Sequence, residues 1–317
     1  SALRQRFNVE LTLQALFAAP CVAELSGKIN EYADKFILPA IEVTSRERTL
    51  PLSFAQQRLW FIDQLGEGSA HYNMADSFII NGTFNAVALE SAFSQVLARH
   101  ETLRTNFITI EGLSQTIVSD DVAIDLWSAD LSRHEKGSRE LTLRSLLEET
   151  SGKPFDLSRD LLLRGGYVRL DSDTTLVHYT THHIVSDGRS MEILKRELKH
   201  LYDKFGCQES CALKPLSIQY ADYAIWQRQW LQGALLGSQI AYWKKQLEGI
   251  PQLHSIPLDK PRPATQSFKG RCFTSMLPQD TMSHIKTLCK KTDVTLFMFM
   301  HAAFAVLLGR YANQSDI

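Results

Sequence analysis

Two strand patterns that run directly into a helix constrain this chain most. "LLLRGGYVRL" (161–170) and "TTLVHYTTHH" (174–183) are separated only by Asp171-Ser172-Asp173, which reads as a turn. Just past Asp187-Gly188, residues Met191, Leu194, Leu198, Leu201 and Tyr202 recur at helical spacing. Strands need a covered face and an amphipathic helix needs a surface to cover, so this sequence calls for layers. The same mixture recurs upstream. "DSFIING" reads as a strand and turn, and Asn85 is placed to cap a helix. Leu89, Phe93, Val96 and Leu97 then form that helix's apolar face, "RTNFITI" is strand-like and "TLRSLLEE" is helical. Downstream, "PLSIQYADYAIWQRQWLQ" and "QIAYWKKQLEGIP" read as helices, and "DKPRP" as an extended connector. A second layered unit begins at "SFKGRCFTSMLP" and continues with helices near 281–291 and 295–311. The fold expectation is an α/β (α+β) two-layer sandwich.

At 317 residues, with 44% hydrophobic and 22% charged residues, the chain is long enough for two domains or one large one with a real core. A net charge of −1 gives no global basic field for nucleic acid. The apolar run Leu296–Gly309 is short for a membrane span and contains His301, so it reads as a buried helix. The five cysteines (Cys21, Cys207, Cys211, Cys272 and Cys289) are odd in number and irregularly spaced. That argues against a disulfide framework and for a reducing cytoplasm. Cys207 and Cys211 have no second cysteine or histidine pair nearby, so a plain loop is preferred to a metal site.

Residues 1–27 carry Leu11, Leu13, Leu16 and Phe17 before Pro20, with Val22 and Leu25 after it. This amphipathic stretch is too small to fold alone. Residues 28–49 are polar and mixed, ending in "EVTSRERTL", and read as a linker. The first residues are already helix-like, and the last follow a strong apolar helix. Both ends read as cuts in a longer polypeptide.

Four segments carry chemistry-bearing residues. In "THHIVSDGRS" (181–190), an extended strand puts His182 and His183 on opposite faces, so one faces the core and the other is free to face a cleft. Asp187 reads as a brace for the loop through an ion pair with an arginine, which would let a carboxylate be tolerated indoors. A polar strand end turning into a helix accounts for the same residues, and the segment alone leaves both readings open. "PLSFAQQRLWFIDQL" reads as an amphipathic helix capped by Ser53. In "RHETLRTNF", Arg99 and Arg104 flank His100 and Glu101 at a helix end, where cations suit the helix dipole. In "QYADYAIWQRQWL", Tyr220, Tyr223, Trp226 and Trp230 stand at helical spacing, as core packing requires.

In this order and spacing, "LSFAQQRLWFIDQL", "RHETLRTNF", "HHIVSDG" and "YADYAIWQRQW" resemble the core motifs of condensation domains of nonribosomal peptide synthetases. "PFDLSRDLLLRG" and "IPLDKPRP" resemble further landmarks of that family, and the resemblance runs from about Pro51 to Ile317. Residues 1–27 look like the C-terminal end of a peptidyl carrier domain, whose phosphopantetheine-bearing serine would precede Ser1. The resemblance implies a linker at 28–49, an N-terminal lobe at 50–232 and the start of a C-terminal lobe at 233–317. Both lobes would be of chloramphenicol-acetyltransferase type, set in a V around a tunnel, with the second incomplete and this piece inactive by itself.

It also implies a reaction. The amine of an acceptor aminoacyl thioester attacks the thioester of a donor peptidyl carrier, and a peptide bond forms. No cofactor is bound directly; both substrates ride on the 4'-phosphopantetheine of carrier domains. The implied partners are a fused upstream carrier, a downstream carrier and a downstream adenylation domain, with neither nucleic acid nor membrane involved. His183 matches the catalytic position, Asp187 the structural aspartate with Arg99 or Arg104 as its ion-pair partner, and Gly188 the open floor, while His182 is structural. Arg189 stands where the family usually has Trp, which leaves local packing in question. The rival readings are a coenzyme A-type acyltransferase of the same fold, a non-catalytic recruitment module, and an epimerisation domain.

Overall fold

The computed structural model describes residues 6, 7, 9, 11, 15, 16, 18, 19, 21–32, 39–47, 49–65, 70–119, 123–206, 213–253, 255–264, 270 and 273–317. Leu13, Phe17 and Pro20 of the N-terminal pattern, and Cys207, Cys211 and Cys272, lie outside the described residues. The chain divides into two compact units, Ser1–Leu231 and Gln232–Ile317. In chain order the elements are α1 (Val22–Tyr32), β1 (Leu50–Pro51), α2 (Phe54–Leu65), β2 (Asn73–Asn81), α3 (Ala86–Arg99), β3 (Thr105–Ile110), β4 (Leu113–Val118) and β5 (Trp127–Asp130). Then follow α4 (Lys136–Gly152), β6 (Leu163–Arg169), β7 (Thr174–His182), α5 (Gly188–Gly206), α6 (Tyr220–Trp230), α7 (Gly233–Gln246), α8 (Gln279–Thr292) and α9 (Leu296–Ala312).

The first unit is built on a four-stranded sheet in the order β2-β7-β6-β5. β6 and β7 pair antiparallel across the Asp171–Asp173 turn, and β2 pairs antiparallel with β7 from Asn73↔His182 to Asn81↔Thr174. β5 pairs parallel with β6, so the chain must cross over, and α4 is that crossover. A smaller antiparallel sheet has the order β1-β4-β3.

Strand alternation sends Val177, Tyr179 and Thr181 to one face of β7, and His178, Thr180 and His182 to the other. All six are buried, so this central strand is covered on both sides. The first face packs on α3 and α5. Leu89, Phe93, Val96 and Leu97, with Met191, Leu194, Leu198, Leu201 and Tyr202, lie in the core as their stripes predict. The Tyr179 hydroxyl donates to the Met191 carbonyl at 3.1 Å. The second face packs on α4, where the hydroxyls of Ser77 and Ser151 meet the two ring nitrogens of His178 at 2.8 and 3.0 Å. Close approach of β5 to β6 requires glycine: a Cβ on Gly166 would stand 2.2 Å from the Trp127 ring. Asn85 caps α3 by accepting from the Ala88 N–H at 3.1 Å.

The stretch expected as a linker contains a docked strap. The Trp226 indole N–H donates to the Pro39 carbonyl at 2.7 Å. The carboxylate of Asp222, 1% exposed, accepts from the Thr44 N–H at 2.9 Å and from Arg46 Nη1 at 2.6 Å. Arg46 Nε reaches Glu101 at 2.8 Å. Residues 39–46 are thereby fastened along α6. Farther upstream, α1 runs through the 27/28 position where the carrier-like segment was expected to end.

In the second unit the expectation of a buried helix at 296–309 is corrected. α9 forms, capped by Thr295, but Phe297, Met298, Phe304, Val306, Leu307 and Tyr311 are exposed, and among the described residues of the helix only Ala312 is buried. The described part of this unit supplies helices and connectors but no sheet, so nothing in it covers that apolar side. No single helix among the described residues is long and apolar enough to cross a membrane.

Candidate functional site

The paired histidines stand where β7 ends and turns toward α5, and the strand period separates their fates. His182 is 1% exposed, with Tyr72 and Phe155 edge-on to its ring at centroid distances of 6.2 and 6.3 Å. Its Nδ1 accepts the Ile184 N–H at 3.1 Å, so the neutral ring carries its proton on Nε2. Burial, reinforced by repulsion from His183 and His71, pushes its pKa down to about 4. His182 is therefore a neutral structural imidazole.

That shift fixes a pH dependence. Below about pH 6.5 the unfolded ring takes up a proton that the folded ring refuses until about pH 4. Stability therefore rises with pH across that window and is lost as pH falls. Denaturant titrations should show the first unit losing about 2 kcal/mol between pH 7 and pH 5 from this residue. His182→Asn, whose amide oxygen can replace Nδ1 as acceptor, should flatten that slope.

His183 turns outward. Its backbone N–H donates to the Tyr72 carbonyl at 2.9 Å, and its side chain is exposed. No hydrogen bond to its ring is made by the described residues. Its charge, when protonated, adds a smaller contribution to keeping the Asp187 carboxylate ionised.

The expected brace at Asp187 is corrected. The carboxylate is exposed and caps α5: Oδ1 accepts the Ser190 N–H at 2.7 Å and the Ser190 hydroxyl at 2.6 Å. Those two bonds, led by the hydroxyl, hold its pKa below the ordinary carboxylate value. Neither Arg99 nor Arg104 pairs with it. Arg99 binds Glu197 at 3.2 Å and the Lys214 carbonyl, and Arg104 donates to the Leu97 carbonyl at 3.2 Å and to the Ser119 carbonyl. Arg104 thus satisfies a carbonyl in the last turn of α3, where a cation is favoured. An exposed capping carboxylate needs no buried counter-ion. Asp187→Asn, which keeps an Oδ1 acceptor, should leave the melting temperature close to wild type, whereas Asp187→Ala should cost about 1 kcal/mol in a denaturation experiment.

Gly188 opens α5, and a Cβ there would meet nothing within 4 Å. Arg189 is exposed and pairs with Glu192 at 2.6 Å. Ser53 caps α2 as expected: its hydroxyl accepts the Gln56 N–H at 3.2 Å while Gln56 Oε1 accepts the Ser53 N–H at 3.0 Å.

Two charge clusters were missed. One is Arg46 with Glu101 and Asp222; the other is Glu197, which binds Arg99 and, at 2.7 Å, His100 Nε2. Their members are 55 to 176 positions apart in sequence, except within each motif, and local spacing carries no trace of them. Among the described residues no cluster of His, Cys, Asp or Glu has the geometry to hold a metal ion.

An exposed imidazole on a turn with ordered backbone is equipped to take, give or share a proton with a reactant arriving from solvent. Among the described residues no Ser, Thr or Cys is hydrogen-bonded to His183, so the arrangement suits non-covalent assistance rather than activation of a protein nucleophile.

The chain matches the family model described as "Condensation domain" over residues 46–317. It is 38% identical over 320 residues to a linear gramicidin synthase of Brevibacillus parabrevis, covering 100% of this chain and 6% of that protein. It is 39% identical over 309 residues to malpinin synthetase of Mortierella alpina, covering 97% of this chain and 4% of that protein. Its fold resembles the X-domain from teicoplanin biosynthesis with a TM-score of 0.74 at 28% identity, over 86% of this chain and 60% of that one. It also resembles holo-AB3403, a four-domain nonribosomal peptide synthetase bound to AMP and glycine, with a TM-score of 0.71 at 26% identity, over 86% of this chain and 20% of that one. The chain thus spans about one twentieth of the length of the two curated relatives.

Proposed function

This chain belongs to the condensation-domain family, and from that premise we propose that it joins two carrier-bound substrates by a peptide bond in nonribosomal peptide synthesis. The α-amine of an aminoacyl thioester attacks the carbonyl of a donor acyl or peptidyl thioester. The C–N bond forms, the C–S bond breaks, and the donor carrier keeps the thiol. Both substrates hang on 4'-phosphopantetheine arms of carrier domains. The segment through α1, which ends at Tyr32, is the end of the upstream carrier and the stretch from there to 49 its connection; a second carrier and an adenylation domain act from the downstream side.

The observation that carries the reading is the outward His183 ring beside an inward, neutral His182. A thioester is already activated and a neutral amine is a good nucleophile, so no covalent enzyme intermediate is needed. Holding the two arms together supplies most of the acceleration, up to about 7–11 kcal/mol in well-oriented reactions. His183 then accepts the amine's proton or hydrogen-bonds the tetrahedral oxyanion. Gly188 leaves open space at the start of α5 next to that ring's turn.

The test loads a donor carrier with an acyl group and an acceptor carrier with an amino acid. Appearance of the joined product on the acceptor arm, dependent on this chain within its module, supports the proposal; its absence with both carriers fully loaded overturns it. One observation favours a second reading. The X-domain likeness includes a structure of that domain in complex with OxyB, so a recruitment module has a solved counterpart of the same fold. Under that reading the product fails to form, and a partner enzyme is bound instead.

A further inference from the structure

With no hydrogen bond to its ring among the described residues, His183 is placed by the backbone that carries it. The bonds of that backbone can be followed one by one. The His183 N–H donates to the Tyr72 carbonyl at 2.9 Å, and the Val185 N–H to the His182 carbonyl at 3.1 Å. The Ile184 N–H donates to His182 Nδ1 at 3.1 Å. The donors of the turn are thus satisfied locally and by Tyr72, just ahead of β2. The two carbonyls that follow the ring are supplied from far away. Ile184 C=O accepts from Gln56 Nε2 at 3.4 Å, and Val185 C=O from the Thr102 hydroxyl at 3.5 Å.

The amide of Gln56 is fixed in orientation. Its Oε1 accepts the Ser53 N–H at 3.0 Å, so Nε2 must be the atom facing Ile184. The side chain is 3% exposed and Ile184 is also 3% exposed, so water does not readily replace either partner. Ser53 is itself held by the Tyr220 hydroxyl at 3.0 Å. Three motifs that are distant in sequence therefore converge on the turn that bears the imidazole: 53–56, 102 and, through Ser53, 220. Both carbonyl contacts, at 3.4 and 3.5 Å, are longer than ordinary hydrogen bonds, so each adds little stability. Their consequence is for position.

We propose that Gln56 and Thr102 are positioning residues for His183. They pin the carbonyl side of its turn and so fix where the imidazole meets the reacting amine. The catalytic meaning of this inference rests on the proposed function; its structural part does not.

The test pairs kinetics with a spectroscopic signal. Thr102→Val removes the hydroxyl at nearly constant shape, Thr102→Ser restores it, and Gln56→Leu removes the amide. In the module, Thr102→Val and Gln56→Leu should each lower kcat about tenfold with KM for the acceptor carrier nearly unchanged, as expected for displacement of an aligned group by a fraction of an ångström. In the isolated chain labelled with 13C-histidine, the His183 Cε1–H resonance, assigned by its loss in His183→Ala, should shift or broaden. Thr102→Ser should return both signals toward wild type. A folded Thr102→Val variant with unchanged kcat and an unchanged His183 resonance overturns the inference. A displaced resonance together with undiminished transfer by His183→Ala upholds the positioning and removes the proposed function instead.

Discussion

Arg46→Ala should lower the stability of the first unit by about 3 kcal/mol, the low end of the range for breaking a buried ion pair. The reason lies with the partner left behind. Asp222 is 1% exposed, and burial alone would raise its pKa. The Arg46 hydrogen bond, the Gln219 and Thr44 N–H groups and the Arg46 charge together outweigh burial and hold it below its ordinary value. Asp222 in turn, mainly through the same hydrogen bond, raises the Arg46 pKa. Remove the guanidinium and the two N–H bonds remain, at 2.9 and 2.8 Å, so part of the carboxylate's solvation survives. That places the loss at the low end. The sign with pH follows. The pair's contribution is complete above the unfolded carboxyl's pKa and is lost as pH falls through the lower folded value. In Arg46→Ala the acid limb of the stability curve should therefore move to higher pH. Denaturant melts from pH 3 to pH 7 measure both effects. A loss below about 1 kcal/mol would mean that the strap is ordinary surface.

The parts of this fold that were legible in sequence share one property: their signal is periodic and local. The α3 and α5 stripes repeat over several turns, and the β6–β7 pair is long with a short turn. β1 and β5 are two and four residues long, too short to show a period, and "LSQTIV" in β4 lies on a sheet whose faces are only half covered. The exposure of α9 was invisible because apolar composition reports what a helix prefers, not what is there to cover it.

At the site, one histidine of the pair is buried and the other exposed, as alternation leads one to expect, although His183 already stands in the turn past β7. The role of Asp187 did not follow expectation. An aspartate just before a Gly-opened helix is also a cap signal, and Ser190 three residues on is where the capped N–H lies. That local cue outranked the distant arginine pairing. The arginines instead answer Glu197 and the end of α3, contacts set by tertiary packing.

His183→Ala should reduce the rate of transfer by about 10²–10⁴-fold, the usual worth of a positioned proton-handling group. Under the proposed function it should leave aminoacylation of the carriers untouched, because that reading gives loading to another domain. A residue of rate should persist, since the carriers still bring amine and thioester together. The fold should persist as well: the ring is exposed and makes no hydrogen bond among the described residues, so its loss removes no buried partner. Single-turnover transfer from a loaded donor carrier to a loaded acceptor carrier, followed by intact mass on the wild-type and His183→Ala modules, is the most direct measurement. A fall of at least a hundredfold with equal carrier loading and equal melting temperature is the expected result. Equal rates would mean that this imidazole is not where the peptide bond is made.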